Sequence, residues 1–217
     1  MTVAPVPGRL PAARLSGARP DGPLVIALHG EGTDIHDLTD LALELVPARE
    51  VIAPVGCWGT YVGAMDLSNY TWFHEVPGVA DPEPVSFGRS LLDVEQLIHS
   101  LGAAADSPRP VLIGIGQGAT VALASAAVVP EALAAVVAIG GRPVTLPAGA
   151  ISLPAGVPVP PRLWLAEPAE GERAEAVGGF GSEPSDPSLS VLSMPAEGPF
   201  AASTKAQLKE WVAEQLA

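Results

Sequence analysis

Positive charge is scarce in this chain. Lys205 and Lys209 are its two lysines, and the 11 Lys and Arg stand against 24 Asp and Glu, a formal net charge of −13. Such a balance excludes nucleic acid and anionic membrane as expected partners, since both are bound through clustered cations. Cysteine is rarer still: Cys57 alone excludes an intrachain disulfide and fits a reducing cytoplasm. Histidine occurs four times, at positions 29, 36, 74 and 99. No Cys/His cluster has zinc-finger spacing, and His29-x6-His36-Asp37 is too loose for a metal, so no metal and no cofactor are expected. A membrane span is also lacking. Ala119 to Gly140 is apolar over a comparable length, but Pro130-Glu131 breaks it into a helix and a strand. Met1 to Leu15 has neither a cationic start nor an apolar core of secretory type. The expectation is a cytoplasmic, soluble protein whose oligomeric state, monomer or dimer, stays open.

Aromatic residues make up only 5% of the chain while hydrophobic residues make up 48%, so the core is built from Ala, Val, Leu and Ile. At 217 residues the length suits one α/β domain spanning 1–217. Its organising stretch is Val111-Leu-Ile-Gly-Ile-Gly-Gln-Gly-Ala-Thr120. Val111 to Ile115 reads as a fully buried strand, and Ala119 to Val128 as a helix. Gly114, Gly116 and Gly118 between them stand in the frame of the nucleophile elbow, G-x-S-x-G, with glycine where the serine would be. An elbow holds its central residue at strained, usually positive φ, which glycine adopts without a Cβ clash. The same letters fit a dinucleotide fingerprint, G-x-G-x-x-A. Against it, two β–α units precede the motif, and the next strand ends Ala138-Ile139-Gly140-Gly141 with no acidic residue.

The other elements alternate. Residues 1–20 are Pro- and Ala-rich and predict an extended edge or hairpin. Leu24 to Leu28 predicts a buried strand, Ile35 to Val46 a helix with Asp34 as N-cap, and Glu50 to Ala53 a strand. Residues 55–86 form a long loop carrying Trp58, Tyr61, Tyr70, Trp72, Phe73 and His74, an aromatic content that favours a pocket. A helix over Phe87 to Leu101 follows. Leu133 to Ile139, Arg162 to Ala166 and Leu189 to Leu192 predict strands, Glu167 to Gly179 has weak helical character, and Ala202 to Leu216 predicts the terminal helix. Alternation of this kind implies a mostly parallel sheet flanked by helices.

With these motifs in place, the chain resembles the α/β-hydrolase superfamily, and within it the small phospholipase/carboxylesterase branch. Leu28-His29-Gly30-x-Gly32 is similar to the loop that supplies an oxyanion-hole amide there, and Thr71-Trp72-Phe73 to the aromatic segment beside the pocket. Gly114-x-x-Gln117-Gly118 resembles the elbow, and Ile139-Gly140-Gly141-x-x-x-x-Leu146-Pro147 the segment after the next strand. The resemblance implies an α/β-hydrolase fold in which the backbone N–H groups of Glu31 and Gln117 bind an anion. It also exposes departures. The expected aspartate is replaced by Glu167-Pro-Ala-Glu170, and the expected histidine turn reads Met194-Pro-Ala-Glu-Gly-Pro-Phe200. Nucleophile and base are both missing from the triad positions.

Each remaining chemical group has a plain structural alternative. His29 suits a backbone-bonded structural role as well as the pocket lining. His74 beside Trp72-Phe73 suits acid–base or ligand-orienting work, or an exposed loop. Glu31 serves as a base only if buried. Cys57 lacks a neighbouring base. Gly30, Trp58, Trp72 and Phe73 complete the expected pocket around Gly116. Three functions stay open on a small carbonyl or carboxylate compound: non-hydrolytic catalysis (cyclisation, isomerisation, elimination or addition), non-catalytic binding, and ester hydrolysis by a relocated nucleophile. A buried His74 or Glu31 facing the cavity favours the first, and an apolar cavity the second.

Overall fold

The apolar runs without alternation become strands buried on both faces. In the computed structural model, which describes residues 2–3, 10–59, 70–79, 81–102, 108–144, 156, 158–166, 189–195 and 197–216, they form an eight-stranded sheet. Its strands are Thr2–Val3 (β1), Ala12–Ser16 (β2), Leu24–Leu28 (β3), Glu50–Pro54 (β4), Val111–Ile115 (β7), Ala135–Ile139 (β8), Arg162–Ala166 (β9) and Leu189–Ser193 (β10). The order is β1-β2-β4-β3-β7-β8-β9-β10. All pairs from β4 to β10 are parallel, and only β1–β2 and β2–β4 are antiparallel. The Pro/Ala-rich start is thus a hairpin on the sheet edge. Trp58–Gly59 (β5) and Tyr70–Thr71 (β6) form a separate two-stranded antiparallel ribbon.

Helices cover both faces, which is why the strands carry no polar alternation. Ile35–Leu45 (α1) and Ala202–Leu216 (α4) pack on Val25, Ala27, Val51, Ile113, Val137 and Leu163. Pro84–Gly102 (α2) and Gln117–Val128 (α3) cover Leu24, Ile26, Leu28, Ile52, Leu112 and Val136. These are the alternate residues of the same strands, as the two-residue period requires.

Two helix starts differ from the expected ones. α2 begins at Pro84 rather than Phe87, because Glu83 caps it: its carboxylate accepts from Val85 N at 3.0 Å and Ser86 N at 2.7 Å. Proline at the first helical position lacks an N–H that would need a partner. α3 begins at Gln117 rather than Ala119, directly on the turn residue Gly116. Asp34 caps α1 as expected, accepting from His36 N at 2.7 Å. No described helix is long and apolar enough to cross a membrane.

Candidate functional site

Gly116 joins β7 to α3 with φ 54° and ψ −120°. It is a left-handed φ that L side chains rarely adopt, the backbone of an elbow. The Gly116 N–H donates to Ile139 O at 2.8 Å, and Gly116 O accepts from Ala119 N at 3.0 Å, which locks the turn from both sides. A Cβ built at Gly116 would lie 3.5 Å from Gly30 Cα, ordinary contact distance. The tip of the elbow and the His29-Gly30-Glu31 loop therefore meet. Gly118 is required for close packing instead. A Cβ there would run into the Leu28 carbonyl oxygen, so its absence lets α3 seat on the end of β3. The two leading amides of the helix, those of Gln117 and Gly118, precede the first bond back to Gly116 O and have no intrahelical acceptor, and the helix dipole makes that end positive. Gln117 N–H belongs to this set.

The aromatic segment is tied to both loops by long-range hydrogen bonds. Gln117 Oε1 accepts from Trp72 N at 3.0 Å and Phe73 N at 3.4 Å. Trp72 Nε1 donates to His29 O at 2.8 Å. Ser90 Oγ donates to Trp72 O. The Trp72 side chain is fully buried and Phe73 nearly so, with Phe73 set edge-on to Phe87 at 5.6 Å. These two residues are the floor of the region, packed into the α2–α3 core. Trp58 is half-buried, donates Nε1 to Ser86 O at 3.2 Å and meets the His74 ring at 5.0 Å.

His29 is buried with both ring nitrogens engaged. Gly56 N donates to Nε2 at 3.0 Å, which leaves Nδ1 to carry the proton and donate to Gly30 O at 3.0 Å. Burial pushes the imidazole below the usual histidine range, and the Gly30 hydrogen bond opposes this in part. A neutral ring so held fixes the Gly30 loop and the start of the aromatic excursion together. His74 and Glu31 are both exposed. His74 is anchored by its backbone, N donating to Ser86 Oγ at 3.0 Å and O accepting from Glu83 N at 2.9 Å. His36 lies in the first turn of α1, and His99 in the last turn of α2, 3.9 Å from Glu95. Cys57 is exposed, with Sγ 3.2 Å from Ser90 Oγ. Since the Ser90 hydrogen points to Trp72 O, the thiol donates.

Met194 stands in the turn after β10, its Cε 3.9 Å from a Cβ built on Gly140, next to the elbow's acceptor Ile139. Glu167, Glu170, Tyr61, Leu146 and Pro147 lie outside the described residues. Sequence reasoning missed the Gln117 side chain as a clamp and Ser86 and Ser90 as anchors. Only the position of Gln117 after the elbow hinted at its part. A separate cavity of about 320 Å³ lies between α1 and the start of α4, lined by Asp37, Asp40, Leu41, Glu44, Phe200 and Lys205. Its carboxylates disfavour an anion, and Lys205 is already paired with Glu44 at 2.7 Å.

The family model described as phospholipase/carboxylesterase matches residues 12–156. No curated protein matches the chain. Among solved structures, esterase PE8 is similar with TM-score 0.70 and 21% identity, over 95% of this chain and 99% of its own. The Bacillus cereus carboxylesterase follows the same path with TM-score 0.69 and 16% identity, over 95% of this chain and 94% of its own. YahD, solved with malic acid, has TM-score 0.69 and 15% identity, over 95% of this chain and 100% of its own. At these identities the likeness to solved structures is one of fold.

Proposed function

This chain belongs to the phospholipase/carboxylesterase family of α/β-hydrolases, and from that premise we propose that it binds a small carbonyl or carboxylate compound at the elbow without triad hydrolysis. One observation carries the proposal: a glycine at φ 54° occupies the elbow tip, in contact with the oxyanion loop. The tip therefore presents N–H donors and no nucleophile. The bound oxygen sits near the amides of Glu31 and Gln117, a donor pair that stabilises a carboxylate as well as a tetrahedral oxyanion. A carboxylate is the first ligand class to test, and the malic acid of YahD supports that choice for a shared fold.

The positions of the histidines support the absence of hydrolysis. His29 has no free nitrogen, His36 and His99 sit on helices, and the turn after β10 presents Met194. The exposure of Glu31 supports binding over general-base chemistry at that residue, because a solvated carboxylate is held by no described residue of the site. Non-hydrolytic catalysis is the second reading, favoured by the His74 ring resting on Trp58 in the aromatic segment. A relocated cysteine nucleophile draws no support from the geometry, since Cys57 contacts a serine hydroxyl.

The test is turnover and burst acylation with short and medium acyl esters of p-nitrophenol. The expected result is no acyl-enzyme, with any rate confined to the ~10³-fold that an oxyanion hole gives alone. Gly116→Ser is expected to stay inactive for lack of a base. Burst acylation at any residue would overturn the proposal. For the second reading, His74→Ala should slow turnover of a converted ligand more than it weakens binding.

A further inference from the structure

Resting on the anion-binding reading above, we propose that Arg142 is a ligand-recognition residue, which takes a second carboxylate of the ligand in exchange for Glu75. The ligand class is then a small dianionic acid, with one carboxylate on the loop amides and the other on the guanidinium.

The placement begins with the backbone. β8 ends at Ile139, whose carbonyl holds the Gly116 N–H. Gly141 then runs against the first turn of α3 so closely that a Cβ would meet Ala119 Cβ at 2.5 Å and Thr120 N at 2.7 Å. Arg142 N donates to Thr120 Oγ1 at 3.1 Å, which fixes the residue beside the amide-bearing end of the helix. From there its guanidinium reaches Glu75 Oε1 at 3.6 Å. Glu75 is two residues past Phe73, whose N–H faces Gln117 Oε1. Arg142 thus links the segment after β8, held on α3, to the aromatic segment. Arg49, Arg109 and Arg162, by contrast, stand at or just before the starts of β4, β7 and β9, at the opposite ends of these strands.

The Arg142–Glu75 pair is built to be exchanged. Its partners are 44% and 62% exposed and too far apart for a direct hydrogen bond. Pairs of this kind contribute little to stability. A ligand carboxylate can offer the guanidinium a bidentate, charge-assisted contact that Glu75 does not make. In a chain of net charge −13, a dianion also needs a local cation to enter at all.

Succinate and its half-amide, succinamate, are the probes, followed at pH 7 by amide shifts of Glu31 and Gln117 in the folded full chain. Both probes should move these amides, with succinate binding about tenfold tighter. Arg142→Gln should abolish that preference while leaving succinamate unchanged, and Arg142→Lys should restore part of it. Glu75→Gln should tighten succinate about two- to threefold by freeing the guanidinium. Equal affinities in the native chain, or a preference that survives Arg142→Gln, would overturn the inference alone. If neither probe moves the two amides, the anion-binding reading fails and the role of Arg142 fails with it.

Discussion

Gly116 and Gly118 are two residues apart and would resist substitution for different reasons. At Gly116 there is room for a Cβ, so Gly116→Ala meets only the cost of positive φ, about 1–2 kcal/mol. At Gly118 the Cβ collides with the Leu28 carbonyl, so Gly118→Ala must push α3 off β3, on the order of 3 kcal/mol. Urea denaturation of the two variants should show that ranking. A Gly116→Ala midpoint equal to that of the native chain would mean the turn is unstrained. His29 predicts a pH dependence. Its folded pKa lies below the ordinary 6.5, so the unfolded chain takes up its proton first as pH falls. The contribution of His29 is complete above pH 6.5 and declines as pH drops through the folded value. Melting temperatures between about pH 8 and 5 should fall less steeply in His29→Gln than in the native chain. The sequence showed His29 in the right loop, but not that both nitrogens were taken, because Gly56 is 27 residues away. Trp72 was legible as aromatic segment and not as floor, since burial depends on what the α2–α3 pair covers.

Among the elements, strands were the easiest to read. Unbroken aliphatic runs such as Val111–Ile115 need two covered faces, and both are covered. Helix starts were harder, since α2 owes its first turn to a cap and a proline rather than to apolar spacing. The β5–β6 ribbon left no periodic trace, its strands being two residues long. The sharpest prediction for a single element concerns α3, whose first side chain grips the aromatic segment. Gln117→Ala removes the acceptor for two buried N–H groups and should cost about 1–3 kcal/mol. Hydrogen exchange should show Trp72 and Phe73 amides opening while β7 stays protected. If those amides keep their protection, the clamp is not what holds the segment.

Across the whole molecule, one sheet carries the candidate site at the carboxyl ends of β3, β7 and β8, where open α/β sheets place ligands. The fold was legible because every core strand announced itself, and because His29-Gly30, the elbow and Trp72-Phe73 kept their order. The chemistry was less so. A missing serine and histidine state what the chain lacks, while the proposed recognition of a ligand rests on side chains such as Arg142 that no local pattern marks.

The clamp that joins these segments also sets an order of events in time. Gln117 and Trp72 are 45 residues apart in the chain, and His29 Nε2 waits for an amide 27 residues on. Closing such loops costs entropy before any hydrogen bond repays it. The strands β3 and β7 must pair, and α3 must seat on β3 at Gly118, before Gln117 has a fixed place from which to hold anything. The aromatic floor is then expected to form after β3, β7 and α3 have come together during refolding. In pulse-labelling from urea, amides of β3, β7 and β8 should gain protection first, and those of Trp72 and Phe73 in a later phase. Simultaneous protection would mean that floor and sheet condense together.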